Sequence, residues 1–499
     1  MKILPALALL FAAALGHAQT VVYVNPVTGT DLPNFGTQAF PVKTITFAAT
    51  QTVTPPLVIK LEPGVYDQAS GEQYPINLPA DVEISGTSPC GAKLVHPLDP
   101  MAPIPNAVFR IFNAPGTGIS VVFRDFRYNT PHRGLQIQAA AESPVSLVFD
   151  NVRGTTWRFL ILEALKNVTG TVVVNDCTLT VVEHGLLLRQ FAGSSLQVSV
   201  TDSSLKGSIG GQIYIDANGP GTSTTLFAAN TVFRGAKAAI ASYLQGDATV
   251  NTLIENCVFT DCGMWVIPPS DFAGAIIDSA LFHNPEPVHV IRNSVFTGSV
   301  YQNDMPQWDS AYYTLENNLV SQPNLIGVGG NVTGDPLFVD ADNGDFHLLP
   351  ASPARDAGNG TAALPFDADG DPRLDPSGLS DLGVDEFYPR YVYFRPLPNP
   401  GNDARLRILG EADAAYLIFA AAAVNGAPFD SGVQLAGLYV PQPIATGTVP
   451  ASGLAEETFA IPKNPAFSGL TLAVQAAYFE GPAANLTFSA NAFEHVMCP

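Results

Sequence analysis

Charge is scarce in this 499-residue chain, and positive charge scarcest. Only 13% of residues are charged, with 23 Lys and Arg against 44 Asp and Glu, a net of −21. Binding a nucleic-acid backbone takes a basic face, so this balance argues against nucleic acid as a partner. It argues equally against anionic membrane surfaces. Uncharged glycans are unaffected, whereas an acidic glycan needs local basic residues or bound cations to overcome the overall field. Cysteine is also rare. Five are too few for a disulfide framework. Cys257 and Cys262 are close enough in sequence to close a small loop in an oxidising compartment, while Cys90, Cys177 and Cys498 have no evident mates. The eight histidines are scattered without zinc-ligand spacing. Beyond the first residues no apolar run is long enough to span a bilayer.

What is present begins with an expected signal peptide over 1–18: Lys2, an apolar stretch from Ile3 to Leu15, and the small-x-small site Gly16-His17-Ala18. The expectation is a secreted or periplasmic bacterial-type protein, monomeric and without a membrane span. With 43 Gly, 42 Pro and 46% apolar residues, the rest is turn-rich but well supplied with core.

An internal repeat sets the fold. A short apolar run, then Asp or Asn, then two residues and usually a large apolar one, recurs as VVFRDFRY, LVFDNVRG, VVVNDCTL, VSVTDSSL, LFAANTVF, LIENCVF, VIRNSVF and YTLENNLV. The polar anchors are Asp125, Asn151, Asp176, Asp202, Asn230, Asn256, Asn293 and Asn317, spaced by 26, 25, 26, 28, 26, 37 and 24 residues. The long step marks an insertion in one coil. A period near 25 fits one coil of an all-β, single-stranded parallel β-helix, in which like residues of successive coils stack in ladders. The Asp/Asn ladder belongs at a turn, where short polar side chains tolerate left-handed backbone. Leu179, Leu205, Phe233, Phe259 and Phe296 are expected inside. A leucine-rich repeat of similar period needs a denser Leu pattern and a helix per repeat.

Both ends of the repeat carry resemblances. Tyr23-Val24-Asn25, Gly29-Thr30-Asp31, Pro41-Val42-Lys43-Thr44-Ile45, Leu61-Glu62-Pro63-Gly64-Val65-Tyr66, Gly71-Glu72-Gln73-Tyr74-Pro75 and Val82-Glu83-Ile84-Ser85-Gly86 resemble the N-terminal family of unassigned function that opens many secreted bacterial β-helix proteins. That family usually has Phe where Val42 stands. The resemblance implies a right-handed, pectin-lyase-like helix with a short cap helix around Thr44 to Gln51. An uncapped end would expose strand edges and a cut core. Further on, Gly334-Asp335-Pro336-Leu337-Phe338-Val339-Asp340, Gly344-Asp345-Phe346-His347-Leu348, Ser352-Pro353-Ala354-Arg355-Asp356-Ala357-Gly358, Asp367-Ala368-Asp369-Gly370, Arg373 and Asp381-Leu382-Gly383-Val384-Asp385-Glu386 are similar to the closing segment of β-helix repeat proteins on bacterial surfaces.

The expected domains are the β-helix over 19–390, including a cap (19–86) and closing segment (334–390), a Pro- and Gly-rich linker over 391–403, and a small β-sandwich over 404–499. Leu472 to Ala476 and Ser489 to Ala492 are similar to accessory tail modules of secreted proteins, whose roles are adhesion, binding or sorting. In the closing segment, Asp340, Asp342 and Asp345 in one loop, and Asp367, Asp369, Asp371 and Asp375 in another, offer oxygen ligands for calcium. Neither loop has EF-hand spacing. The competing reading is turn-capping carboxylates with salt bridges to Arg355 and Arg373.

Folds of this kind include polysaccharide lyases, polygalacturonases, esterases and non-enzymatic adhesins, so fold leaves function open. Aligning the coils on the turn ladder sets Gln138, Glu163, Arg189, Asp216 and Tyr243 side by side, with Arg158 and His184 just before the same strands and Tyr214 beside them. As a groove this polar and aromatic stripe would hold a sugar chain, with Trp265, Met264, Phe272 and Phe282 of the insertion as an overhanging wall. As a bland surface it is the solvated face that any outward strand presents. The leading expectation is polysaccharide binding without catalysis. The alternative is a polysaccharide lyase or glycoside hydrolase working through Glu163, Arg189 and Asp216.

Overall fold

The Asp/Asn ladder is where the chain turns. All eight anchors have positive φ, from 44° at Asp176 to 57° at Asp125. Asn and Asp occupy this left-handed region most readily among residues with side chains, because the short polar group bonds locally. Asn151 Nδ2 donates to Asp125 Oδ1 (2.8 Å), and Asn230 Nδ2 to Asp202 Oδ1 (3.0 Å), so neighbouring turns also bond to each other.

The computed structural model describes residues 20–51, 55–88, 91–96, 107–262, 276–280, 288–297, 302–303, 313–323, 325–360, 364–373, 378–424, 435–439, 443–464, 467, 470–480 and 485–497. The expected signal segment and the aromatic residues of the insertion, Trp265 included, lie outside them, as do Asp375, Cys90 and Cys498.

The repeat builds a parallel β-solenoid with three lateral sheets. Sheet A precedes the Asp/Asn turn and begins with Thr20–Val24, Leu57–Leu61 and Asp81–Gly86, each paired in parallel with the next. It continues through Thr169–Asn175, Ser195–Thr201 and Ser223–Ala229. Sheet B follows the turn, as in Ser204–Lys206, Val232–Arg234, Val258–Thr260 and Val295–Thr297. Sheet C comes next, as in Arg133–Ala139, the end of Pro144–Ala164, the end of Thr178–Gln190, Gly211–Asn218 and Ala238–Gln245. Alternation puts every second side chain inside. The expected inward row of sheet B is in register, Leu179 on Leu205, Phe233, Phe259 and Phe296, and each is at most 1% exposed.

A short helix, α1 (Ile45–Ala49), falls where the resemblance implied one. Thr44 caps it by accepting from Phe47 N, and the buried Glu72 carboxylate accepts from the Ile45 and Thr46 amides. Ile45 and Ala48 enter the solenoid core.

The closing segment runs back along the flank, over the outer face of sheet B. The outward row there reads Lys93, Arg127, Arg153, Thr178, Ser204, Val232, Val258, Val295, Leu319. Where it becomes apolar, Phe346, Leu348, Ala354, Leu382 and Val384 pack on it. The turn ladder is satisfied from the same side: Asn230, Asn293 and Asn317 donate to the carbonyls of Phe366, Asn359 and Ala357. Gly383 lies against this row, with φ 95° and a would-be Cβ 3.2 Å from Cγ2 of both Val258 and Val295. Gly383→Ala is therefore expected to lower stability by about 1–2 kcal/mol, from left-handed backbone alone. Thermal unfolding against wild type measures it, and an unchanged midpoint would refute the left-handed backbone at Gly383.

Two antiparallel sheets follow. Tyr391–Phe394, Asp403–Leu409 and Leu454–Ala460 form one. Ala415–Val424 and Thr471–Glu480 centre the other. Their shared core includes Val392, Leu406, Ile408, Tyr416, Ile418, Val474 and Tyr478. Tyr391–Phe394 is thus a buried strand inside the stretch 391–403 that Pro and Gly content marked as a linker. Its four residues, YVYF, are aromatic and β-branched, and the Pro-rich turn begins only after them.

The Cys257–Cys262 loop is not closed. Both are buried thiols at opposite ends of strand Val258–Thr260. Cys257 Sγ sits 3.3 Å from the Glu255 carbonyl, and Cys262 Sγ 3.5 Å from that of Phe233. Burial pushes the Cys257 thiol up to about 12.

Candidate functional site

Sheet C carries the stripe. Pairing sets Gln138 beside Glu163, Glu163 beside Arg189, Arg189 beside Asp216, and Asp216 beside Tyr243. All five point outward and are partly exposed. Four rung spacings of about 4.8 Å make the row about 19 Å long. The middle is ionic: Arg189 Nη1 lies 3.3 Å from Glu163 Oε1, and Nε lies 3.8 Å from Asp216 Oδ2. Burial holds the Asp216 carboxyl above the usual carboxylate range, against the pull of Asn218 and Arg189.

A second row begins the same strands, with Arg133 beside Arg158 and Arg158 beside His184. Arg158 forms a two-pronged pair with Glu183, which also accepts from the Trp157 indole. Burial raises Glu183, but those donors outweigh it and hold it below its ordinary value. His184 is pushed down by burial, and its Nδ1 is 2.9 Å from the Gly211 carbonyl oxygen. Its ring leans on Tyr214, with centroids 5.0 Å apart. Gln245 donates to the Tyr243 hydroxyl (2.8 Å). Burial, and then Arg158, lower Arg133. Arg133 and Arg110, whose strand Ala107–Phe112 pairs with Arg133–Ala139, went unnoticed in the sequence. Arg133 heads the second row, Arg110 lies beside Gln136 in the row that continues to Ile161, Leu187 and Tyr214, and the stripe position itself is held one coil earlier by Phe112.

The calcium candidates scatter into structural roles. Asp340 accepts from Asn343 and Arg407. Asp342 is almost fully exposed, 3.7 Å from Arg234. Asp367 accepts from the backbone of Asp369, Asp371 and Glu386. Asp371 accepts from the Tyr391 hydroxyl. Burial and the neighbouring Asp367 push Asp371 up to about 7. Arg373, fully buried, donates to Asn230 Oδ1 and the Gly383 carbonyl and lies 3.6 Å from Glu386. Arg355 instead stacks on the Phe387 ring at 3.9 Å.

Asp345 and Asp369 meet at His347, which loop-by-loop reading left out. Asp345 Oδ1 is 2.7 Å from His347 Nδ1. Its other oxygen accepts from the Tyr393 hydroxyl (3.0 Å) and pairs with Arg407. Burial alone would raise Asp345, but His347, Arg395 and Arg407 hold it at about 2. The Tyr393 ring stacks on the imidazole, 3.8 Å between centroids and 11° from parallel. His347 Nε2 faces Asp369 Oδ2 (3.1 Å) and Asp385 Oδ1 (3.7 Å). Burial would lower the imidazole, yet Asp385, Tyr393, Asp345 and Asp369 together raise it well above its ordinary value.

The protein is a parallel β-solenoid bearing an outward ionic and aromatic stripe, buttressed along one flank by a carboxylate-rich segment. Residues 27–93 match a family model described as a protein of unknown function (DUF1565). That span holds α1 and the first coils. No curated protein matches the chain.

Proposed function

We propose that this chain is an exported glycan-binding protein of the bacterial type, holding an extended polysaccharide along the outer face of sheet C. The observation that carries the reading is the single register shared by Gln138, Glu163, Arg189, Asp216 and Tyr243, with Tyr214 and His184 beside it. A rigid row of hydrogen-bonding and aromatic groups, repeated every coil, matches a ligand that also repeats along its length. Because the scaffold fixes the row, little side-chain ordering opposes binding.

Export rests on Lys2, the apolar stretch from Ile3 to Leu15 and Gly16-His17-Ala18. Ile45 and Ala48 of α1 add apolar cover to the first coil, consistent with an end cap. No helix among the described residues is long and apolar enough to cross a membrane. The C-terminal sandwich fits an accessory module.

The test is a panel of acidic and neutral polysaccharides, scored for retention in affinity electrophoresis. Product is followed as unsaturated ends in the ultraviolet and as reducing ends. Binding by wild type is expected, weakened about tenfold or more by Arg189→Ala and by Tyr214→Ala, since losing an Arg or Tyr that a bound ligand covers at the centre of the contact costs over about 1 kcal/mol. Binding unchanged in both variants would overturn the assignment to sheet C. Turnover lost with Arg189→Ala would replace binding with lyase or hydrolase chemistry at the same stripe.

A further inference from the structure

We propose that His347, Asp369 and Asp385 form a site for a divalent first-row transition metal, zinc being the representative ion. The proposal is independent of the glycan reading, because the cluster lies in the closing segment rather than on sheet C.

Three observations carry it. The three side chains bring one ligand atom each to within 4.8 Å of one another. His347 is 6% exposed, and its Nε2 has no hydrogen-bond partner in bonding geometry among the described residues. That nitrogen nevertheless points between two carboxylates, 3.1 Å and 3.7 Å away. A buried ring nitrogen aimed between two carboxylate oxygens, without a well-formed hydrogen bond to either, is placed as a metal ligand would be.

The surroundings are those of a metal-binding histidine. Such a histidine commonly engages a carboxylate through its other nitrogen, which fixes ring orientation and raises ligand basicity. Here Asp345 does so at 2.7 Å, and Tyr393 and Arg407 hold Asp345 in turn. The stacked Tyr393 ring fixes the imidazole plane.

The donor set selects the ion. One imidazole and two carboxylates suit zinc and its first-row neighbours, which accept mixed nitrogen and oxygen ligands. Calcium takes six to eight oxygens, which this group does not offer. Asp369, with its side chain 47% exposed, gives the site access to water and leaves room for a solvent ligand. Scattered spacing hid the site in the sequence: 22 residues separate His347 from Asp369 and 16 separate Asp369 from Asp385.

Its test uses the full chain, stripped with chelator and dialysed against zinc or cobalt. One equivalent of zinc per chain is expected by elemental analysis, cobalt should give visible d–d bands, and zinc should raise the thermal midpoint. Asp369→Asn changes an exposed ligand, so the fold persists. It should weaken zinc binding by about 100-fold or more, since even outer-shell changes cost about 10–100-fold, and should abolish the thermal shift. If wild type takes up neither metal, or if Asp369→Asn binds as tightly as wild type, the site does not exist.

Discussion

Phe259→Ala is expected to destabilise the solenoid by about 3–5 kcal/mol, the range for deleting a fully buried aromatic side chain. Phe259 is fully buried. It stacks on Phe233 at 5.0 Å and on Phe296 at 4.6 Å, the latter within 1° of parallel. A solenoid is held largely by contacts between adjacent coils, so one truncation weakens two interfaces at once. The row above already uses Leu179 and Leu205. Phe259→Leu should therefore restore most of the loss. Denaturant midpoints of the three proteins measure the order wild type, Leu, Ala. An alanine variant as stable as the leucine variant would show that this row is not the core.

Arg373→Met should be nearly as severe, by about 2–5 kcal/mol, because it leaves the buried Asn230 Oδ1 and the Gly383 carbonyl without their donor, at about 1–3 kcal/mol each. Arg373 joins three parts of the chain: the turn ladder through Asn230, the Gly383 carbonyl, and Glu386. Burial, and then Asp381, push the Glu386 carboxyl up to about 9 even with Arg373 present. Methionine matches the volume of the stem but supplies no donor. The loss should concentrate in the closing segment, so limited proteolysis should cut within 345–386 before the solenoid unfolds. Cleavage sites unchanged from wild type would assign Arg373 no role in docking that segment.

Much of the scaffold was legible because a repeat amplifies its own signal. One Asn or Asp before an apolar pair says little. Eight in step locate a left-handed turn, and every one has that geometry. From the turns, the register of Glu163, Arg189 and Asp216 followed by counting. The flank is legible in the sequence too: the outward residues of sheet B change from Lys93, Arg127 and Arg153 to Val232, Val258 and Val295 where the closing segment covers them. An apolar outward row on a half-solvated sheet asks for a cover. The His347 group was hidden for another reason. Acidic residues were grouped by closeness in sequence, whereas strand Asp345–Leu348 and the loops around Asp369 and Asp385 meet only after the segment folds back.

That change of character along the flank divides the coils into two kinds. Those from Lys93 to Ser204 face outward with polar or charged residues that no strap covers, and such coils can be copied or dropped as units. Those from Val232 to Leu319 are measured against a strap of fixed length, whose contacts to Asn230, Asn293 and Asn317 fall at set intervals. Adding a coil there would carry every later contact about 4.8 Å out of step. The molecule is therefore free to change its length only in its first half, where the proposed ligand row begins. A longer or shorter footprint would arise there while the strapped end stays constant.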